Sequence, residues 1–438
     1  MARRHLLIGG GPGAVAAAEA IRGAEPEAEI VLVSADPHGY YSRPGLAYYL
    51  AKEISEKILR PFSRAEFDGL RVMTILDRAV AIDPAGHTVT LQNGDEFTYD
   101  RLLLATGSTA VPARVPGTEL DGVVKLDDLD DARDIIRRSA AAKNAVVVGG
   151  GITALEIVEG LRAHGVHVDY FMRQDRYWRN VLSERESRAV EEELRRGGVR
   201  IHQFTELARI VGRDGRVVAA ETGDGTRIPC DMVAVAIGVR PRTDLAEAAG
   251  LACARGILVD EYLRSSEEDV FASGDVAETP HPVTGRRTIE VLWHSAVHKG
   301  RVAGLNMATR PVHAYREGPS LNITRLAGMN TTIMGAVGSG KDADLEGLSR
   351  GDSQTWSELG DAVAVEAQAD GARIRLEIVD RAVVGAVVMG EQALSFQLQE
   401  LIEAHADLGD AARRLAEPGA PVADLIGDCW RAWKAHAV

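Results

Sequence analysis

Two glycine-rich turns are the segments of this 438-residue chain whose residue types and spacing most directly suggest chemistry. Residues 9–14 read GGGPGA and residues 149–154 read GGGITA, so both fit the pattern G-x-G-x-x-A. In this pattern the first glycine makes a tight strand-to-helix turn, the second lets backbone N–H groups approach a pyrophosphate, and the small third residue lets helix and strand pack closely. A phosphate there lies at the positive N-terminus of a helix. We therefore predict a dinucleotide at each turn, held by Gly9, Gly11, Pro12, Gly13, Ala14, Gly149, Gly151, Ile152 and Thr153.

The presence of two turns matters, because a single glycine-rich turn occurs in many α/β proteins and is weak evidence. Each of these turns follows a short apolar strand and opens a helix of small residues. Two dinucleotide sites on one chain indicate electron transfer between two cofactors.

We call each glycine turn, with the strands and helices around it, a unit: the first unit contains the turn at 9–14 and the second unit the turn at 149–154. The residue after the second strand of each unit distinguishes the two predicted sites. A dinucleotide site normally carries Asp or Glu there, bound to a ribose hydroxyl. Asp36 follows strand 30–33 and can serve in the first unit, whereas Met172 and Arg173 follow strand 168–171 in the second. An arginine at this point accommodates a 2′-phosphate, which favours NADPH over NADH. The alternative is that Arg173 is only a solvated surface residue.

A common plan of elements follows both turns. Segments 88–91 and 97–104 flank the dipeptide NG, and segments 216–220 and 228–236 flank DG. These dipeptides between apolar runs predict hairpins. In each unit the second segment leads into another short glycine turn, so two modules of similar plan occupy the first 250 or so residues.

The C-terminal region predicts a different, smaller unit. Segments 363–368 and 373–379 alternate in polarity around Asp370-Gly371, 382–389 reads as a strand buried on both sides, and 392–406 reads as a helix. The predicted fold class is therefore α/β, with two Rossmann-like dinucleotide-binding domains and a C-terminal α+β domain.

Composition excludes several classes of function. Lys and Arg total 50 against 64 Asp and Glu, and a net charge of −14 argues against a nucleic-acid partner. No apolar run approaches the ~20 residues of a membrane span. Three scattered cysteines form neither a disulfide framework nor a zinc motif, which favours a soluble protein in the reducing cytoplasm.

His294 and His298 lack a third nearby ligand, so we predict no metal site. The acidic stretch 127–134 predicts an exposed helix start.

Further motifs resemble those of a known family. Residues 99–108 read YDRLLLATGS, 238–241 read GVRP, 269–276 read DVFASGDV and 292–296 read LWHSA. In this order they are similar to segments of the FAD-dependent pyridine-nucleotide oxidoreductases of the glutathione-reductase-like class. The likeness is greatest to ferredoxin and rubredoxin reductases, NADH oxidases and the flavin part of nitrite reductases, and it weakens beyond about residue 310.

The resemblance implies a division of labour along the chain. It places an FAD-binding domain in residues 1–112 and 246–315, an inserted NAD(P)H-binding domain in 113–245, and an interface or dimerisation domain in 316–438. It also implies that the Asp of the 269–276 motif hydrogen-bonds the FAD ribityl chain, and that the helix opening at LWHSA points at the flavin pyrimidine ring. The cofactor-binding residues it adds are Arg43, Val80, Ala105, Thr106, Gly107, Gly238, Gly274, Asp275 and Trp293.

Departures from the family narrow the expected activity. Pro44 stands where coenzyme A-disulfide reductases and NADH oxidases carry a redox cysteine. Ferredoxin reductases carry R-P-P-L-S-K, which this chain matches at Arg43, Pro44 and Leu46 but not at the lysine, where it has Tyr48. The glutamate that pairs with this lysine is kept as Glu156. We therefore predict Glu156 and Tyr48 as the catalytic side chains, with a helix-face charge as the alternative for Glu156.

These residues predict an oxidoreductase without a thiol relay. Hydride passes between NAD(P)H and flavin N5, and electrons pass to or from ferredoxin, rubredoxin or another iron–sulfur protein or subunit. A homodimer or a subunit of a larger complex is expected. Two alternatives stay open: an NADH oxidase or peroxidase that uses oxygen directly, and a non-catalytic FAD-binding subunit.

Overall fold

The computed structural model describes residues 2–62, 64–280, 287–316, 318–338, 362–369 and 371–436. Two five-stranded parallel sheets form its centre. The first has the order Val270–Ala272, Arg101–Leu104, Arg4–Ile8, Glu29–Ser34 and Val72–Leu76. The second has the order Arg200–His202, His167–Phe171, Asn144–Val148, Met232–Val235 and Val123–Val124. The α/β class predicted from the repeated turns is confirmed.

Helices cover both sheets, and smaller sheets join them. The α-helices are Pro12–Ala24, Gly45–Leu50, Arg64–Gly69, Leu129–Ser139, Ile152–Ala163, Glu184–Arg196, Asp244–Ala248, Trp293–Ala308, Ser395–Glu403, Ala411–Leu415 and Val422–His436, and the 3₁₀ turns are Glu56–Leu59 and Gly274–Val276. The small sheets are Ala79–Asp83 with Thr88–Leu91 and Glu96–Thr98, Leu207–Arg213 with Arg216–Thr222 and Arg227–Pro229, Ser108–Ala110 with Val239–Pro241, and Ile257–Leu258 with Ala277–Pro280 and Arg287–Thr288.

Two predicted strands are wrong in the same way. Segments 97–104 and 228–236 each break into two strands that belong to different sheets. The first break lies at Asp100, whose carboxylate accepts the backbone N–H of Arg4 at 2.7 Å. The second lies at Asp231, whose carboxylate accepts the backbone N–H groups of Lys143 and Asn144 at 2.8 and 3.0 Å. Each aspartate ties the start of the central strand to the strand that enters beside it, and the chain turns there.

The C-terminal region folds as an antiparallel sheet with helices on one side. Its strands, in order, are Leu321–Leu326, Met329–Gly335, Ala382–Gly390, Ala372–Val379 and Val363–Ala369. The predicted hairpin forms, although Asp370 in its turn lies outside the described residues. The helix predicted over 392–406 is shorter and spans Ser395–Glu403.

The central C-terminal strand is buried on both faces, as its composition predicted. Ala386 and Val388 pack against the C-terminal helices, while Val387 and Met389 belong to the core of the second parallel sheet. Beside it, the buried Arg375 guanidinium lies 3.1 Å from the Glu186 carboxylate and donates to the Val181 carbonyl at 2.6 Å. The C-terminal sheet is therefore clamped between its own helices and the second unit.

Two helices distant in sequence touch through glycine. A Cβ added at Gly300 would lie 2.1 Å from the Gly13 carbonyl oxygen, and one added at Gly304 would lie 2.5 Å from that of Ala17. Helix Trp293–Ala308 therefore meets helix Pro12–Ala24 backbone to backbone. This contact closes the first unit although its parts are far apart in the chain.

We expect Gly300→Ala to lower the free energy of unfolding by roughly 1–3 kcal/mol, because the new methyl group forces the two helices apart. Gly23→Ala is the matched control, since a Cβ at this helical glycine has nothing within 4 Å. This control should instead stabilise the protein by about 0.5–1 kcal/mol through helix propensity. Denaturant unfolding measures both, and equal effects of the two substitutions would contradict the close contact.

Candidate functional site

One large cavity, of about 1140 Å³, runs across the molecule from the first glycine turn to the start of the second turn's helix. Most of the residues predicted from the sequence line it. They are Gly9, Gly11, Pro12, Gly13, Asp36, Arg43, Tyr48, Val80, Ala105, Thr106, Gly107, Ile152, Thr153, Glu156, Gly274, Asp275 and Trp293. The structure thus brings together side chains from both units at a single site.

Five predicted residues lie off this cavity. Ala14 is fully buried beneath the first turn. Gly151 and Gly238 border a small recess of about 20 Å³ next to it, and Gly149 lies in the strand-to-helix turn beside that recess. Arg173 is exposed one residue beyond the buried Met172, past the end of strand His167–Phe171.

The two turns have the same geometry. Gly9 and Gly149 have φ angles of 120° and 148°, in the region that favours glycine. A Cβ at either one would lie 2.1 Å from a carbonyl oxygen, that of Ala105 in the first unit and that of Ala236 in the second. Only glycine at the end of the first strand allows the segment that carries Ala105 or Ala236 to approach this closely. The turn after each strand is therefore held open at a helix N-terminus.

The cavity wall fits a dinucleotide. A Cβ at Gly11 would have nothing within 4 Å, so backbone there faces open space. The buried hydroxyls Ser273 Oγ and Thr153 Oγ1 have no hydrogen-bond partner among the described residues. Buried polar atoms of this kind normally find a partner, and a bound phosphate or hydroxyl group supplies one. Ser273 was not singled out from the sequence, although it precedes the predicted Gly274.

Polar side chains hold the rest of the wall in position. The Ser108 hydroxyl donates to the Asp275 carboxylate at 2.6 Å. The Tyr41 hydroxyl donates to the Asp36 carboxylate at 3.1 Å, and the Arg43 guanidinium lies 3.6 Å from it. Arg43 also donates to the Asp127 carbonyl oxygen. These links fix the acid predicted to bind a ribose and the acid predicted to bind a ribityl chain.

A second helix N-terminus reaches the cavity at Trp293. Helix Trp293–Ala308 begins there, and no side chain in the described part of the chain caps it. The Trp293 ring stacks on Tyr40 with centroids 5.9 Å apart and an interplanar angle of 21°. An uncapped N-terminus stabilises negative charge nearby, as the resemblance implied for this helix.

The two segments that cross between the units pair with each other. Strands Ser108–Ala110 and Val239–Pro241 form an antiparallel ribbon. Asp127 lies beside this ribbon and is only 2% exposed, so the prediction of an exposed acidic stretch is wrong at its first residue. Its carboxylate accepts from Thr109 at 2.9 Å and from Arg242 at 3.2 Å. Asp128 caps helix Leu129–Ser139.

Two residues missed by the sequence analysis complete one wall. Glu159 lies one helical turn after Glu156, and both line the cavity. Arg325, from the C-terminal sheet, places its guanidinium 5.4 Å from the centre of the Tyr48 ring and pairs with Glu53. Helical spacing from Glu156 could have identified Glu159, but no local signal points to Arg325.

Two side chains of this wall, Glu159 and Tyr48, have raised pKa values. Burial raises the pKa of Glu159 to about 7, opposed by the charge of Arg325 and by a hydrogen bond from the Gly328 N–H at 3.1 Å. Burial also raises the pKa of the Tyr48 hydroxyl, so Tyr48 stays neutral at physiological pH. Glu159 therefore changes charge near neutral pH.

Comparison with known proteins decides what kind of site this is. The sequence profile of the pyridine nucleotide-disulphide oxidoreductases matches residues 3–300. The chain belongs to this family. The family uses FAD and a nicotinamide dinucleotide, and one cavity that joins the first glycine turn to the start of the helix after the second fits this cofactor pair.

Several relatives of this chain are named as reductases. The biphenyl dioxygenase system ferredoxin–NAD(+) reductase component of Paraburkholderia xenovorans is 34% identical over 81% of this chain and 85% of that protein. The ferredoxin reductase component of chlorobenzene dioxygenase from a Cupriavidus species is 30% identical over 97% and 98%. A solved ferredoxin reductase from Rhodopseudomonas palustris has the same fold, with a TM-score of 0.85 at 23% identity over 96% and 99%.

The cavity residues of this oxidoreductase fit different parts of its two cofactors. When bound, FAD accepts a hydride from the nicotinamide and passes electrons on. The backbone N–H groups after Gly9 would hold its pyrophosphate, and Asp36 and Asp275 would accept from its hydroxyls. The N-terminus at Trp293 would stabilise negative charge on its ring system. Thr153 would meet the nicotinamide nucleotide.

Metal ligation and membrane insertion are both unsupported within the described residues. These residues contain no group of three or more His, Cys, Asp or Glu side chains arranged to hold a metal ion. None of their helices combines the length and apolarity needed to cross a lipid bilayer.

The pKa of Glu159 predicts how stability changes with pH. Its carboxyl keeps a proton in the folded state that the unfolded chain releases above pH 4.5, so its contribution falls as the pH rises from 4.5 to about 7. We expect Glu159→Gln to gain roughly 3 kcal/mol relative to the natural protein between pH 4.5 and pH 8. Urea unfolding at both pH values measures this, and a pH-independent difference would rule out the titration.

Proposed function

We propose that this oxidoreductase takes electrons from NAD(P)H and passes them singly to a small iron–sulfur protein of the ferredoxin type. One observation carries the proposal: a single cavity joins the first glycine turn to Ile152, Thr153 and Glu156 at the start of the second unit's helix. Two dinucleotides bound at the two turns therefore share one space. The names of two relatives that are 34% and 30% identical support a ferredoxin as acceptor.

The positions of the cysteines support an exit for electrons that uses no thiol. Pro44 lines the cavity where a redox cysteine would stand in coenzyme A-disulfide reductases and NADH oxidases. Cys230, Cys253 and Cys429 all lie away from the cavity lining, and burial raises the pKa of Cys230 to about 12. A thiol with so high a pKa is a poor nucleophile.

Anaerobic titration tests this function directly. The purified protein, loaded with FAD, should lose its oxidised flavin absorbance when one equivalent of NAD(P)H is added, and added ferredoxin or rubredoxin should restore it. A flavin that is never bleached would leave only an FAD-binding subunit. Rapid, stoichiometric reoxidation by oxygen alone would favour an oxidase instead.

We propose further that the nucleotide is NADPH rather than NADH. Met172 is fully buried where an acid would contact the ribose, and the exposed Arg173 follows it. A guanidinium at this place can pair with the 2′-phosphate of NADPH. NADH has no 2′-phosphate and gains no such contact. The biphenyl dioxygenase relative is named for NAD(+), so its name does not support NADPH. The proposed preference for NADPH therefore rests on Arg173 alone.

Arg173→Glu should weaken NADPH binding tenfold or more while changing NADH binding little, because a charged hydrogen bond is worth about 1.5–3 kcal/mol. Arg213→Glu is a matched control, since Arg213 is also exposed in the second unit but lies on its small antiparallel sheet. Binding is measured by anaerobic flavin titration with each nucleotide. Equal losses for both nucleotides would contradict the phosphate contact.

A homodimer through the C-terminal region is the proposed assembly. Phe396 and Val363 there expose 60% and 51% of their surface, which supports an apolar contact between copies. Sedimentation of the protein, with and without Phe396→Lys, tests this. A monomer at all concentrations would exclude the dimer. The cytoplasmic location stays a prediction.

A further inference from the structure

The helix that begins at the second glycine turn presents two carboxylates to the cavity, and the family pattern explains only one. Glu156 is the glutamate that ferredoxin reductases pair with a lysine. Glu159 lies one turn further along, still in the cavity wall. Its Oε1 accepts the Gly328 N–H at 3.1 Å, from the turn between strands Leu321–Leu326 and Met329–Gly335. The C-terminal sheet therefore reaches across to this second carboxylate.

Arg325 comes from the same sheet and supplies positive charge to this wall. It lines the cavity, lies over the Tyr48 ring at 5.4 Å and pairs with Glu53. A guanidinium over an aromatic face is held by the ring quadrupole as well as by its ion pair. The hydrogen bonds to Glu53 raise the Arg325 pKa, and the charges of Glu159 and Glu53 raise it further, so the guanidinium lies in the field of both acids.

The position of Arg325 coincides with the chain's main departure from its relatives. Residue 48 is a tyrosine where ferredoxin reductases have lysine, so this segment brings no ammonium group to the wall. Arg325 covers that tyrosine. A cation thus reaches the wall from a strand 277 positions later in the chain. The acids whose charges act on it are Glu53 and Glu159.

We propose that Arg325 and Glu159 form the working charge pair of this cavity wall, in place of a lysine at residue 48 paired with Glu156. Arg325 favours the reduced, more negative cofactor, and Glu159 makes that preference depend on pH. The proposal deepens the proposed function and rests on it. Burial supports it, because the Glu159 pKa lies near 7. The titratable and charged groups around Glu159 are Glu53, Glu156, Arg325, Tyr48 and Tyr177.

The midpoint potential of the bound flavin tests Arg325. Arg325→Met should lower the equilibrium constant for reduction about tenfold, a fall of about 30 mV for a two-electron couple. Adding Tyr48→Lys to this variant should restore the potential, because it returns a cation to the same wall. Arg381→Met is the control, since Arg381 is exposed and pairs with Asp407 away from the cavity. Its potential should equal that of the natural protein.

Glu159 is tested by the pH dependence of the same potential. Ionised Glu159 disfavours reduction, so the potential of Glu159→Gln should exceed that of the natural protein by an amount that grows as the pH rises through 7. The glutamine retains an oxygen to accept the Gly328 N–H, so the fold is preserved. Glu184→Gln, at an exposed helix start away from the cavity, should keep a constant difference at every pH.

The outcomes separate this inference from the proposed function. A natural protein that NAD(P)H cannot reduce overturns both. Normal reduction by NAD(P)H, with Arg325→Met at the natural potential or with no rescue by Tyr48→Lys, overturns the charge pair alone. A pH-independent difference for Glu159→Gln also overturns the pair. A fall, its rescue, and a difference that grows through pH 7 support it.

Discussion

The backbone contact between Gly13 and Gly300 is the constraint on which the cofactor site depends. Two helices can meet this closely only where neither carries a side chain at the crossing, and here a methyl group would lie 2.1 Å from a carbonyl oxygen. The contact aligns helix Trp293–Ala308 with helix Pro12–Ala24, so the N-termini of both reach the same cavity. It also brings the Ser273–Gly274 turn against the first glycine turn, because a Cβ at Gly13 would lie 2.7 Å from Ser273 Oγ. The positive end of helix Pro12–Ala24 and the Ser273 hydroxyl, which has no partner among the described residues, therefore lie side by side, an environment that suits a pyrophosphate.

The second unit repeats the turn but not the helix contact, and this difference creates a shared site. Its helix Ile152–Ala163 docks against helix Gly45–Leu50 of the first unit, where a Cβ at Gly160 would lie 2.3 Å from Leu50 Cγ. That docking turns Glu156 and Glu159 towards the first unit's cavity rather than into solvent. Two copies of one plan would otherwise give two separate sites. Because the second helix packs against the first unit, residues of both units line one cavity.

Local signals in the sequence predicted the parts of this structure that local physics decides. The glycine turns, their strands and helices, and the C-terminal hairpin all follow from spacing within a few residues. The break at Asp100 could not be predicted this way, because its partner is the backbone of Arg4, 96 positions away. The burial of Asp127 could not be predicted for the same reason, since its partners Thr109 and Arg242 come from the two crossing segments that pair with each other. The site residues beyond the motifs are likewise determined by tertiary contacts.

The C-terminal sheet carries the clearest case of such a contact. Buried ion pairs add little net stability, because desolvation offsets most of the attraction, but an unpaired buried charge is strongly disfavoured. Any other placement of the sheet on the second unit that separated Arg375 from Glu186 without new partners would therefore be disfavoured. With the sheet seated this way, the strand Leu321–Leu326 runs along the cavity and Arg325 meets Tyr48. The region where the family resemblance is weakest thus supplies a wall of the cavity, and it brings the Arg325 guanidinium to Tyr48 of the first unit.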